Sequence, residues 1–168
     1  MTQQELFIRM SLQSWEVSLK RAVDLFNGFS DEELYTEIAP GRNRVIYLLG
    51  HLTAVHDRML PLLGLGERLY PQLDEPFLSQ PDKAVKDIPS PQELREFWYT
   101  TNGALAAGFR DLTPDQWFQK HTQITDEDFV KEPHRNKLSV LLSRTSHLAS
   151  HYGQILLAKK KAEAPLPA

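Results

Sequence analysis

The sequence predicts an all-α fold, a four-helix bundle. Three observations carry that expectation: four long stretches with apolar residues at helical intervals, cap-and-proline signals where segments begin, and no alternating run of the strand type. At 168 residues the chain fits one compact domain. Its 41% hydrophobic and 24% charged residues are ordinary for a globular core that forms without crosslinks.

The first helix is expected from about Gln3 to Phe26, with Leu6, Met10, Trp15, Leu19, Val23 and Phe26 on its apolar stripe and Asn27-Gly28 at its end. Ser30-Asp31-Glu32-Glu33 reads as a new helix start, and Ala39 to Asn43 as a break. A second helix follows from about Arg44 to Leu63, closed by Gly64 and Gly66. From about Glu67 to Pro89 the chain carries Pro71, Pro76, Pro81 and Pro89, which exclude a continuous helix. A connection this long inside a compact domain marks a crossover or a cover over a site.

Ser90-Pro91-Gln92-Glu93 places a cap and then proline at the first helical position, so a third helix is expected to about Phe109. Thr113-Pro114 repeats the signal on a shorter segment, and His121 to Arg135 reads as an irregular connection. The fourth helix is expected from about Asn136 to Lys160. Residues 162–168, rich in alanine and proline, read as a fraying tail after a single domain over 1–161. Four helices with two longer connections make a bundle with crossovers the expected architecture.

Composition excludes several classes of function. A net charge of -3 and a pI near 6.1 offer no global field for a polyanion, and Lys159-Lys160-Lys161 reads as a charge-favoured helix end, so no nucleic-acid partner is expected. Met1 to Glu5 lacks the start of a signal peptide, and no run is long enough to cross a bilayer, so no membrane partner is expected and the chain is assigned to the cytoplasm. The absence of cysteine removes disulfides, thiolate metal sites and cysteine nucleophiles. No Gly-x-Ser-x-Gly, phosphate loop or dinucleotide fingerprint occurs.

The histidines carry the chemical signal. His147 and His151, four apart on the fourth helix, lie one turn above each other and can converge on one divalent ion if a third ligand arrives from elsewhere. They flank an apolar face centred on Leu141, Thr145, Leu148, Tyr152 and Ile155. In the second helix, His51 falls within the face of Val45, Leu48, Leu52, Val55 and Met59, whereas His56 points to its margin. An inward imidazole needs a partner, which makes His51 the candidate third ligand. The plain alternative leaves His51 a buried core histidine and the other two half-exposed. His121 and His134 fall in expected loops and read as solvated.

The segment from Gly41 to Leu52, ending in Leu48-Leu49-Gly50-His51-Leu52, resembles the second-helix motif of the DinB/YfiT-like superfamily. His147-Leu148-Ala149-Ser150-His151-Tyr152-Gly153-Gln154-Ile155 resembles that family's last-helix motif, and the likeness spans nearly the whole chain in helix order. The resemblance implies an up-down-down-up bundle in which the long connection is the crossover. It also implies a divalent metal, zinc or nickel, on His51, His147 and His151, and a homodimer. Relatives include S-transferases and isomerases that use low-molecular-weight thiols. Arg42-Asn43-Arg44 stands where many relatives carry an aromatic and a serine or proline, a departure on the substrate side of the pocket.

Three neutral imidazoles would leave an ion its full charge and an open position, the arrangement of a catalytic site. That chemistry activates water or a thiol from a cosubstrate, since the chain supplies none. The expectation is therefore a metal-dependent transferase or hydrolase acting on a small molecule. Its rival is a non-catalytic helical dimer with adventitious metal or none. No general base is assigned. Tyr47, Tyr152, Gln154 and Arg144 stand near the ligands, with Gln154 a candidate to orient one, and Trp98 and Tyr99 are read as core or pocket wall. In His56-Asp57-Arg58, neighbours in sequence point to different helical faces, which argues against a triad.

Overall fold

A computed structural model describes the backbone of residues 1–162 and the side chains of residues 1–159. The tail expected at 162–168 lies outside them apart from the backbone of Ala162.

The first helix, α1 (Gln3–Asn27), begins where Thr2 and Glu5 form a reciprocal cap that satisfies two otherwise orphaned amides. It buries Ile8, Ser11, Trp15, Ala22 and Phe26. Leu6 and Met10, expected on the buried stripe, are exposed at 43% and 58%. The first two turns present Ile8 and Ser11 to the core instead. Ser30 to Glu33 starts only a single 3-10 turn, Glu33–Tyr35, held over Leu34.

The second expected helix is two. α2 (Val45–Asp57) and α3 (Met59–Leu63) are separated at Arg58. Pro61 explains the break: it has no N–H for the Asp57 carbonyl four residues back, and its ring crowds that carbonyl. Gly64, at φ +69, then closes α3 in the left-handed conformation that glycine adopts without penalty.

The long proline-bearing connection is structured. It contains a 3-10 turn, Pro71–Leu73, and a wide π-type turn, Glu75–Ser79, both packed on α2 with Leu73 and Phe77 fully buried. Ion pairs fasten it at both ends of α2. Near the C-terminal end the buried Asp57 carboxylate accepts from Arg68 Nε (2.6 Å) and from the amides of Leu69 and Tyr70, while Asp74 takes both Arg68 and Arg58. At the N-terminal end Asp82 accepts from the Arg44 amide and its guanidinium, each at 2.7 Å.

Helix α4 (Pro91–Asp111) starts with a Ser90–Glu93 capping box and proline at its first position, and the short α5 (Pro114–Trp117) repeats the device with Thr113 and Gln116. A further short helix, α6 (Asp126–Lys131), corrects the expectation of an irregular connection there. Thr125 caps it and no residue of it is buried. The last helix, α7 (Lys137–Ala162), opens with Asn136 Oδ1 accepting from the Ser139 amide.

The described residues contain isolated β-bridges, Glu37 with Arg44 and Lys120 with Asn136, but no strand. Helix α1 packs along α7, and α2 packs against both α4 and α7. Two apolar clusters result. One gathers Phe26, Leu48, Leu49, Phe77, Trp98, Leu148 and Ile155, and the other Ile8, Trp15, Met59, Leu63, Leu105, Phe109, Trp117 and Leu141. His56 bridges them, its ring 4.8 Å from Trp15 and 4.9 Å from Trp98.

Candidate metal centre

Helices α2 and α7 bring three imidazoles together. His51 Nε2 lies 3.2 Å from His147 Nε2, which lies 3.1 Å from His151 Nε2, and the three atoms all fall within 4.8 Å of one another. The spacing of His147 and His151 follows from one helical turn. His51 reaches them because α2 packs directly on α7.

The remaining ring nitrogens fix the protons. His51 Nδ1–H donates to the main-chain carbonyl of Phe77 at 3.0 Å; a carbonyl only accepts, so His51 Nε2 carries a lone pair. His151 Nδ1 faces Gln154 Oε1 at 3.0 Å, which leaves the Nε2 lone pair of His151 pointing inward as well. His147 Nδ1 is buried with no partner among the described residues.

Burial, then its ring neighbours, pushes His147 down to about 4, and burial also lowers His51. At neutral pH both rings are therefore neutral. Lone pairs aimed at one point repel unless a proton or a cation lies between them. With the metal–nitrogen distance of about 2.0–2.1 Å usual for zinc, the two short separations subtend roughly 100° at an ion, between octahedral and tetrahedral values. The donor set fits a borderline divalent ion.

Several sequence expectations change at this point. His56, placed at the margin of its helix, is fully buried: its Nδ1 donates to Asn102 Oδ1 at 2.8 Å, and burial pushes it down to about 3. His51, placed inside the apolar face, is only half-buried. Arg144, one turn before His147, is half-buried and makes no ion pair among the described residues. Trp98 is core, whereas Tyr99 is 47% exposed and donates to Asn27. Tyr47 stacks over His51 and donates to the Gln80 carbonyl. Tyr152 is half-buried, His134 is exposed and His121 half-buried. The role foreseen for Gln154 agrees with its contact to His151. The Phe77 carbonyl was missed, since a backbone acceptor has no signature in sequence.

Gln154, the partner of His151, also lines a cleft of about 450 Å³ with Ile38, Gly41, Arg42 and Asn43. A larger cleft, about 620 Å³, lies between α1, the end of α4 and α5, away from the histidines.

The fold is similar to that in the crystal structure of a conserved protein from Enterococcus faecalis, at 17% identity and a TM-score of 0.62, covering 90% of this chain and 94% of that one. No curated protein matches the chain. The family model of the DinB superfamily matches residues 14–155, a span that runs from α1 through both histidine-bearing helices, and the chain belongs to that superfamily.

Proposed function

We propose that this chain is a divalent-metal-dependent enzyme of the transferase or hydrolase type, with zinc or nickel held by His51, His147 and His151. One observation carries the reading: three Nε2 atoms on two helices converge, with the Nδ1–H of His51 donated away from the centre and that of His151 turned toward Gln154. Held by the neutral imidazoles of His51, His147 and His151, a divalent ion would supply Lewis acidity and lower the pKa of a thiol or water toward neutrality. The thiol reading requires a low-molecular-weight cosubstrate, since the chain has no cysteine.

The protein's part is orientation. Phe77 O and Gln154 Oε1 set two ring tautomers, and Arg42 gives the adjoining cleft a cationic rim suited to an anionic small molecule. On the other side Arg144 lines a cleft of about 340 Å³ together with Leu62, Ser139 and Ser143.

The accompanying proposals are an up-down-down-up bundle forming one domain, a cytoplasmic location and a homodimer. The helix pairings support the first, and the absence of cysteine suits the second. No helix among the described residues is long and apolar enough to cross a membrane. For the dimer, Leu6, Met10 and Val17 share one face of α1 and stand exposed at 43%, 58% and 45%.

Elemental analysis of untagged protein tests the centre. The reading expects one metal per chain, lost in His51→Ala, His147→Ala and His151→Ala and kept in the exposed control His134→Ala. Metal content unchanged by the three ligand substitutions would overturn it. Assays of thiol consumption against a panel of electrophiles then test the chemistry. No turnover by metal-loaded protein favours a non-catalytic bundle.

A further inference from the structure

The buried layer beside the three histidines holds side-chain polar atoms without hydrogen-bond partners among the described residues. Three of them are His56 Nε2, His147 Nδ1 and Arg144 Nε. A buried polar group left unpaired is costly, so each calls for a physical account.

Their protons can be assigned. Asn102 Nδ2 donates to the Trp98 carbonyl at 2.8 Å, which turns Asn102 Oδ1 toward His56 Nδ1. An amide oxygen only accepts, so the His56 proton is on Nδ1 and Nε2 is a bare lone pair, sealed between Trp15 and Trp98. With His147 Nε2 turned to the other two rings, an ion held there would put the proton of the neutral His147 on Nδ1. Arg144 Nε always carries one. The set is one acceptor and two donors.

The backbone puts them on one level. His51 on α2 faces His147 and His151 on α7, while Leu62, beyond α2, shares a cleft wall with Val140 and Arg144. Rising residue numbers on one side therefore meet falling numbers on the other. Five residues from His51 to His56 advance about 7.5 Å, and three from His147 back to Arg144 about 4.5 Å in the same direction. His147 and Arg144 are both close enough to act electrostatically on His56.

We propose that His56 is a positioning residue for the metal centre, acting through one buried water that accepts from His147 Nδ1–H and Arg144 Nε–H and donates to His56 Nε2. Three hydrogen bonds are the usual complement of such a water. The chain Trp98 O, Asn102, His56, water, His147 holds the His147 proton on the outer nitrogen and aims Nε2 inward, the service a carboxylate or carbonyl performs for many ligating histidines. This inference rests on the metal reading above.

The test is zinc affinity by chelator competition in wild type, His56→Phe and His56→Gln, with side-chain nitrogen NMR of the zinc-loaded wild type. Phenylalanine keeps the ring without a lone pair, and zinc affinity is expected to fall about 10- to 100-fold. Glutamine restores an acceptor near the Nε2 position, and most of the affinity is expected to return. The spectra are expected to show His56 protonated on Nδ1 and a slowly exchanging His147 Nδ1–H. Equal affinity in wild type and His56→Phe overturns this inference alone. So does a His56 proton on Nε2, a result that requires no variant to fold. A wild type that binds no zinc overturns the metal reading, and this inference with it.

Discussion

The main-chain carbonyl of Phe77 accepts the Nδ1 proton of His51 over 3.0 Å, and the Phe77 ring lies against Gly50 of the same helix. The proline-bearing connection thus sets the tautomer of a candidate ligand. It can do so because Arg44–Asp82 and Asp57–Arg68 fasten it at the two ends of α2.

Gly50→Ala tests that contact. A methyl group at position 50 would run into the Phe77 ring. Alanine gains about 1 kcal/mol of helix propensity, while overpacking typically costs about 1–3 kcal/mol. Net destabilisation is expected in urea melts, with weaker metal binding as the Phe77 carbonyl moves. A stabilised variant would show that the ring yields freely.

Asp57→Ala should be among the most damaging single changes. It leaves Arg68, whose side chain is 18% exposed, without one carboxylate and strips the acceptor from two amides. Breaking a buried pair by removing one partner costs about 3–5 kcal/mol. Chemical denaturation reads the loss directly, and a change below about 1 kcal/mol would contradict the clamp.

Acid should destabilise the metal-free protein from mildly acidic pH downward. His56 is neutral in the fold down to about 3 but takes its proton near 6.5 when unfolded. Its contribution is therefore whole above 6.5 and is lost as pH falls from 6.5 toward 3, because only the unfolded state binds the proton across that window. The slope is on the order of 1 kcal/mol per pH unit for this group. Stability measured between pH 7 and 4 should decline, and His56→Gln should flatten the decline.

Chelation should lower the melting temperature. An ion present at about 100 times its dissociation constant stabilises the native state by roughly 2.7 kcal/mol. Scanning calorimetry with zinc and with excess chelator should separate the two forms, and superimposable traces would argue against a folded-state site.

Much of the architecture was legible because caps and proline are local signals. Thr113 and Ser90 start helices where the sequence indicates, and the His147–His151 spacing alone puts two rings on one face. Helical azimuth picked His51 over His56 for the cluster, as the structure has it, but misjudged which of the two is the more buried, for a physical reason. Helix α2 is covered by α4, α7 and the connection, so nearly every azimuth is apolar and periodicity has no contrast to read. Helix α6 was missed for the opposite reason, since Asp126–Lys131 buries nothing and leaves no hydrophobic period. The Pro61 break could have been read from the missing donor alone.

His51 and His147 are 96 residues apart in the chain. An ion seated between them would be a staple across that span, in a polypeptide that has no sulfur with which to make a permanent one. Closing so long a loop is entropically unfavourable, so the staple can be set only once the helices have docked. Before that the chain offers no more than the pair on its last helix. Loading would follow folding, and withdrawing the ion would unlock the two halves without any redox partner.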